Sequence, residues 1–337
     1  MLTAIHGVVA SSGGEPGIQF SATVTPLDFV TSNTVTVTGG DFEVDWGDGV
    51  FAPYSAGAAS SVASIDDTGI ITVQSTQQIS KVVFNTDTYT AIDITDSDTI
   101  TVAEGMCFSL TNLTTFAMNN ASNITTFKNA WNGCTTLASF PLINTGSGTT
   151  FESAWKGCAT LTSFPEIDVT SMTSDAFGFW TTWQDCAGLT AFPDIDVSNA
   201  QTFNGAWFDC SGLLTFPALD FTVATSVTNN WSGCTSLTTF PAITTPVCTV
   251  YASAWFGCTG LLSMAALGTS AGLNFSNMLQ GCSSLICLTS VDTVGGSSAT
   301  DMFTGCTAMT APSAGDQTLL TTLPAGFNYV NGSSCPL

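Results

Sequence analysis

Cysteines recur along this chain at a fixed stride. Cys134, Cys158, Cys186, Cys210, Cys234, Cys258, Cys282 and Cys306 are separated by 24, 28, 24, 24, 24, 24 and 24 residues. One further unit precedes them, with Leu110 in the cysteine place and LTTF at Leu113–Phe116, which makes about nine units. A period between 20 and 50 residues marks supersecondary units that bury their apolar faces only by stacking on their neighbours. Other residues keep the same stride. Trp131, Trp155, Trp183, Trp207, Trp231 and Trp255 form one column, and Phe140, Phe164, Phe192, Phe216 and Phe240 form another. A third runs through Leu137, Leu161, Leu189, Leu213, Leu237, Leu261 and Leu285.

Within one unit, Phe151, Ala154, Trp155 and Cys158 fall at i, i+3, i+4 and i+7, the apolar stripe of a short helix. Thr149 and Thr150 stand where a cap belongs, and Gly157 stands where the turn must stop. Leu161, Phe164 and Ile167 then read as an extended segment, with Pro165 barring a helix. The expectation is one helical turn and one strand-like segment per unit. Later units drift: Leu279 and Phe303 take the tryptophan place, Met264 and Leu288 the phenylalanine place. Size and apolarity persist while identity does not, as in a packed column rather than a ligand platform. The cysteines read the same way, as a buried thiol column with Leu110 as one substitute. No CxxC spacing or histidine partner supports zinc.

The stretch AWKGCATLTSFPEID (Ala154–Asp168) resembles the BspA-type leucine-rich repeats of bacterial surface proteins, over roughly residues 107 to 312. That resemblance implies a right-handed solenoid with a parallel sheet on one side. Residues 16–100 instead alternate like strands, with Thr and Val dominant and Gly, Asp and Pro at turns. VDWGDG (Val44–Gly49) resembles the WGDG signature of PKD-type immunoglobulin-like domains, with Trp46 in the core. The expected fold is therefore mainly β with short helical turns: an N-terminal arm (1–15), a PKD-like β-sandwich (16–100), a leucine-rich-repeat solenoid of about nine 24-residue units (101–312), and a C-terminal cap (313–337).

The charge balance narrows function. Three lysines (Lys81, Lys128, Lys156), no arginine and 25 acidic residues give a formal net charge of −22. Nucleic-acid binding needs cations to replace counterions, so it is excluded, and an anionic membrane is as poor a partner. No apolar stretch reaches the roughly 18 residues of a membrane span. The first residues, MLTAIHGVVASSGGEPG, lack a positive n-region and read as no signal peptide. His6 has no companion for a catalytic triad.

Three acidic features remain. Asp41, Asp45 and Asp48 offer hard oxygens to calcium, without EF-hand spacing; the alternative is turn chemistry. The run Asp93–Asp98 (DITDSD) reads as a turn into the first repeat. Asp168, Asp196 and Asp220 align between Asn144 and Thr244, as a cation ladder, a glycosidase pair, or turn-forming acceptors. Trp180 lies beside a four-residue insertion between Cys158 and Cys186 and, with Phe177 and Phe179, is the best candidate contact surface, with a packed bulge as the alternative.

The expectation is a protein without enzymatic activity or cofactor: a bacteriophage virion component (decoration, tail or fibre) that meets other virion or surface proteins and a host-surface glycan or protein receptor. A homo-oligomer fits that role. A BspA-type adhesin on the bacterial cell surface is the alternative reading, and a polysaccharide-acting enzyme a distant third.

Overall fold

Alternation of apolar and hydroxyl-bearing residues makes half-buried strands in the N-terminal part. A computed structural model describes residues 20–26, 33–60, 70–172, 178–288, 290–292, 297–308 and 328–330. Eight strands come first: β1 (Phe20–Pro26), β2 (Thr34–Thr38), β3 (Phe42–Asp45), β4 (Phe51–Tyr54), β5 (Gly57–Ser60), β6 (Ile71–Ser75), β7 (Lys81–Phe84) and β8 (Tyr89–Asp96). One sheet runs β4-β3-β6-β1-β8, and the other runs β5-β2-β7. Val35, Val37, Val44, Val73, Val82, Phe84 and Tyr89 are buried in the core these sheets share. Trp46 packs at its margin and donates its indole N–H to the Tyr54 hydroxyl at 2.9 Å.

Both sheets run on into the repeats. Strand β9 (Thr115–Met118) pairs parallel with β8, register Ala91↔Thr115 to Ile94↔Met118. In the second sheet a parallel bridge joins Lys81 of β7 to Val102, then Val102 to Thr126 and Thr126 to Thr150. That row resumes through Thr202, Ser226, Val250, Asn274 and Ser298. The N-terminal sheets thus supply the strand edges on which the first repeat lies.

The expected leucine-rich-repeat solenoid with helical turns is not what the chain forms. The described residues contain no helix, and their strands fall into sheets of six, three, four and three strands instead of one continuous parallel sheet. The residues of the predicted helical stripe do face inward: Phe151, Ala154, Trp155 and Cys158 are all fully buried. Their backbone, however, is a chain of turns. Ala154, Lys156, Cys158 and Leu161 donate N–H to the carbonyl three residues back (Phe151, Ser153, Trp155 and Cys158). The intervening Phe151, Ser153, Trp155 and Gly157 donate outward, to Gly178, Trp180, Thr182 and Gln184 of the next layer. Half the donors a helix would use inside itself are therefore engaged between layers.

Two left-handed residues per layer enforce this. One lies five residues before the column cysteine (Asn129, Ser153, Thr181, Gly205, Asn229, Ser253, Asn277, Asp301), and one lies directly before it (Gly133, Gly157, Asp185, Asp209, Gly233, Gly257, Gly281, Gly305). Helix geometry needs negative φ at every position, and φ near +54° at Ser153 interrupts it. Gly, Asn and Asp tolerate that region best, Ser at least lacks β-branching, and Thr181 is the one β-branched residue in the two rows.

The strands of the repeats are short for a second reason. Pro141, Pro165, Pro193, Pro217 and Pro241 each follow the column phenylalanine and remove a ladder donor. Where Ala265 replaces proline, its N–H reaches the Phe240 carbonyl at 3.1 Å. Strands of two or three residues then form parallel ladders, one in the order β10 (Thr239–Phe240), β12 (Ser263–Met264), β14 (Cys287–Leu288), the other in the order β11 (Ile243–Thr244), β13 (Leu267–Gly268), β15 (Ser290–Asp292). Strand β16 (Asn328–Val330) lies antiparallel on β15 and covers that edge. Of the expected C-terminal cap, only these three residues are described, and Phe177 also lies outside the described residues.

The turn backbone makes an expectation that a helix would reverse. Ser253 is left-handed at φ 54°, with its N–H on the Ser276 carbonyl. Ser253→Gly should leave the melting temperature unchanged or higher, whereas mid-helix glycine costs about 0.5–1 kcal/mol. Ser253→Val should lose about 1–2 kcal/mol, because a β-branched side chain resists positive φ. Denaturant midpoints of the two variants check this; a glycine variant weaker than the valine variant would contradict the turn assignment.

Candidate functional site

The acidic candidates are engaged in local turns. Asp45 accepts the N–H groups of Gly47 and Gly49 at 2.9 and 3.0 Å, Asp48 accepts Val50 at 2.9 Å, and Asp41 faces the Gln77 side chain at 3.5 Å. Among the described residues no three His, Cys, Asp or Glu side chains gather as a metal would need. The aligned ladder behaves alike. Asp168, Asp196 and Asp220 each accept the N–H two residues on, from Thr170, Ser198 and Thr222 at 3.0, 3.0 and 2.8 Å, and Asn144 does so for Gly146 at 3.1 Å. These bonds, from the Thr170 and Ser198 hydroxyls and backbone, hold Asp168 and Asp196 below the usual carboxylate range. Each is a turn acceptor, its carboxylate engaged by the backbone two residues on. His6 lies outside the described residues.

The two main columns are interior. Trp131, Trp155, Trp183, Trp207, Trp231 and Trp255 have no exposed surface. Successive indoles stack with centroids 4.9–5.9 Å apart and planes within 10°. Column phenylalanines meet them edge-on, as Phe140 meets Trp131 at 4.6 Å and 73°. None of the six indole N–H groups has a hydrogen-bond partner. Cys107, in the first layer, stands in the tryptophan place rather than outside the columns.

The thiols have a specific task. Each Trp carbonyl accepts the N–H of its own layer's cysteine and the S–H of the next layer's. Trp155 O takes Cys158 N–H at 3.2 Å and Cys186 Sγ at 3.1 Å. The same bond recurs from Cys158, Cys210, Cys234, Cys258 and Cys282 to the preceding tryptophan carbonyl, at 3.0–3.3 Å. Cys134 reaches Cys107 O at 3.0 Å, and Cys306 reaches Leu279 O at 3.1 Å. Alanine would fit the space but leave the second lone pair of a buried carbonyl unused. Ten cysteines, Cys248 among them, are buried and free.

The inserted aromatics separate. Phe179 takes the inner place of Phe151 and Phe203, stacked on them at 5.9 and 5.5 Å, and is fully buried. Trp180, one residue on, faces outward with 42% of its surface exposed. It borders a shallow groove of about 190 Å³ that also involves Thr181, Gln184, Asn204, Gly205, Phe208, Thr228 and Asn229.

Three layers build that groove. Trp180, Asn204 and Thr228 occupy equivalent places in them, and so do Gln184 and Phe208. The floor is open because Gly205 stands where Asn129, Ser153, Thr181, Asn229, Ser253, Asn277 and Asp301 place side chains. A Cβ at Gly205 would come no nearer than 3.5 Å to Thr181 and 3.7 Å to Phe208, in ordinary contact, so it would fill the floor without collision. The Asn204 Oδ1 accepts the Ser226 hydroxyl at 2.6 Å, and the Gln184 amide donates to Asp185 at 3.1 Å. Sequence reasoning found Trp180 but none of the other groove residues. The available signal was Gly205 breaking a row of side-chain-bearing residues. No protein family, no curated protein and no solved structure matches this chain.

Proposed function

We propose that this chain is a non-enzymatic structural protein of a bacteriophage virion, a decoration, tail or fibre component whose layered surface meets virion partners and the host surface. The observation that carries the reading is the thiol column. Ten buried cysteines, hydrogen-bonded to backbone carbonyls or packed in the core and none in a disulfide, suit folding in a reducing cytoplasm. Three lysines and no arginine in 337 residues suit work outside the cell, where proteases that cut at basic residues abound. A particle assembled inside and released by lysis reconciles the two. The engagement of Asp168, Asp196 and Asp220 in turns supports a role without catalysis.

Particles purified on a density gradient from a lysed producing culture test the reading. An antibody raised against the chain should decorate them in immunogold images and follow their band. Signal confined to the cell envelope or the soluble fraction overturns it.

A further inference from the structure

We propose that the groove at Trp180 binds one ring of a neutral oligosaccharide; this deepens the attachment role above and rests on it. A pyranose has a C–H face that lies against an aromatic ring and a rim of hydroxyls that both donate and accept. The groove supplies the matching groups. Trp180 and Phe208 stand in different rows and adjacent layers, so the groove has an aromatic side chain from each of two layers. Gln184, Asn204 and Asn229 bring amides, which donate and accept, and Thr181 and Thr228 bring hydroxyls.

Charge and size narrow the occupant. None of the eight lining residues is ionisable, and the charged group bonded to them is Asp185, which accepts from Gln184, so an anionic ligand finds no counter-charge. A net charge of −22 disfavours acidic sugars further. A volume of about 190 Å³ lies below the ~300–1,000 Å³ of drug-sized pockets. The groove is open at the surface, so a single ring seats while the rest of the chain passes over the neighbouring layers. The site is built rather than incidental: the row of left-handed residues loses its side chain at Gly205, beside the outward-facing tryptophan.

Maltohexaose, cellohexaose, chitohexaose and, as the acidic comparison, hexagalacturonate are titrated into the full chain by calorimetry. At least one neutral hexaose should bind with one site per chain. Trp180→Ala and Gly205→Asn should each weaken it about tenfold or more, a loss of roughly 1.4 kcal/mol, with the melting temperature unchanged for Trp180→Ala and only slightly lowered for Gly205→Asn, whose backbone is left-handed. Asparagine at 205 keeps the left-handed backbone that Asn129, Asn229 and Asn277 hold in the same row, and it fills the floor. No binding by the neutral sugars, binding that survives both variants, or binding by hexagalacturonate alone overturns the proposal. So does a Trp180→Ala effect seen only as lost self-association in sedimentation, because the occupant is then a second copy. Particle association is measured separately: a chain that sits on particles yet binds no sugar removes the groove proposal alone, and a sugar-binding chain absent from particles removes only the virion reading.

Discussion

Between pH 7 and pH 9 this protein should lose several kcal/mol of stability. Burial pushes the Cys134 and Cys186 thiols up to about 12, and Cys107, Cys158 and Cys210 well above the ordinary range. Burial raises Cys234, Cys248 and Cys258 too, and at Cys282 and Cys306 the adjoining column thiol does most of the raising. A thiol in the unfolded chain ionises near 8.5. Above that pH the unfolded chain releases protons that the native protein retains. Stability is therefore whole below about pH 8.5 and falls as pH rises toward the native values.

The effect is large because it is repeated. One such thiol loses about 0.8 kcal/mol at pH 9. Ten of them give roughly 8 kcal/mol, comparable with the ~5–15 kcal/mol that holds a typical domain folded. Tyr89 and Tyr251 are pushed the same way by burial, but an unfolded tyrosine ionises only near 10. Urea unfolding in excess reductant, followed by tryptophan fluorescence at pH 7, 8 and 9, checks the expectation. Cys210→Ala and Cys234→Ala should each flatten the pH dependence by one proton. Equal midpoints at pH 7 and pH 9 would contradict a buried thiol column.

How far the sequence could be read follows from what each residue constrains. The 24-residue stride and the retained size of Trp207, Leu279 and Phe303 identified the interior columns, because burial leaves a pattern in residue type. The backbone was misread because apolar residues at i, i+3, i+4 and i+7 satisfy two conformations, a helix and a chain of turns with inward residues at the same places. The deciding residues were polar: Asn129, Ser153 and Asn229 five before the cysteine, Gly133 and Gly157 directly before it. Phe179 and Trp180 were grouped as one surface because they are neighbours in the chain. The turn between them sends one into the aromatic column and the other outward. Gln184, Asn204, Gly205 and Phe208 are illegible as a site in the sequence because they meet only through the stacking of layers: Thr181 N–H bonds Asn204 O and Asp185 N–H bonds Phe208 O, each 23 residues on.

Trp207→Ala should cost about 3–5 kcal/mol, the range for deleting a large buried aromatic. Trp207 has no exposed surface. Its indole stacks on Trp183 at 5.3 Å and on Trp231 at 5.9 Å, and Phe192 and Phe216 meet it edge-on at 5.0 and 4.8 Å. Alanine would leave a void between two layers and strip a stacking partner from each neighbour, and the turn backbone on either side is tied by Trp207 N–H to Asn230 O at 3.0 Å, which limits collapse. Trp207→Phe should cost much less. It keeps a ring in the stack and removes an indole N–H that is buried without a partner, and Phe303 already fills the equivalent place in the last layer. Trp180→Ala should stay within about 0.5 kcal/mol, as surface substitutions usually do. Urea midpoints of the three variants at pH 7 decide the matter. A phenylalanine variant as weak as the alanine variant would mean that the full bicyclic indole, and not simply an aromatic ring at that place, holds the column together.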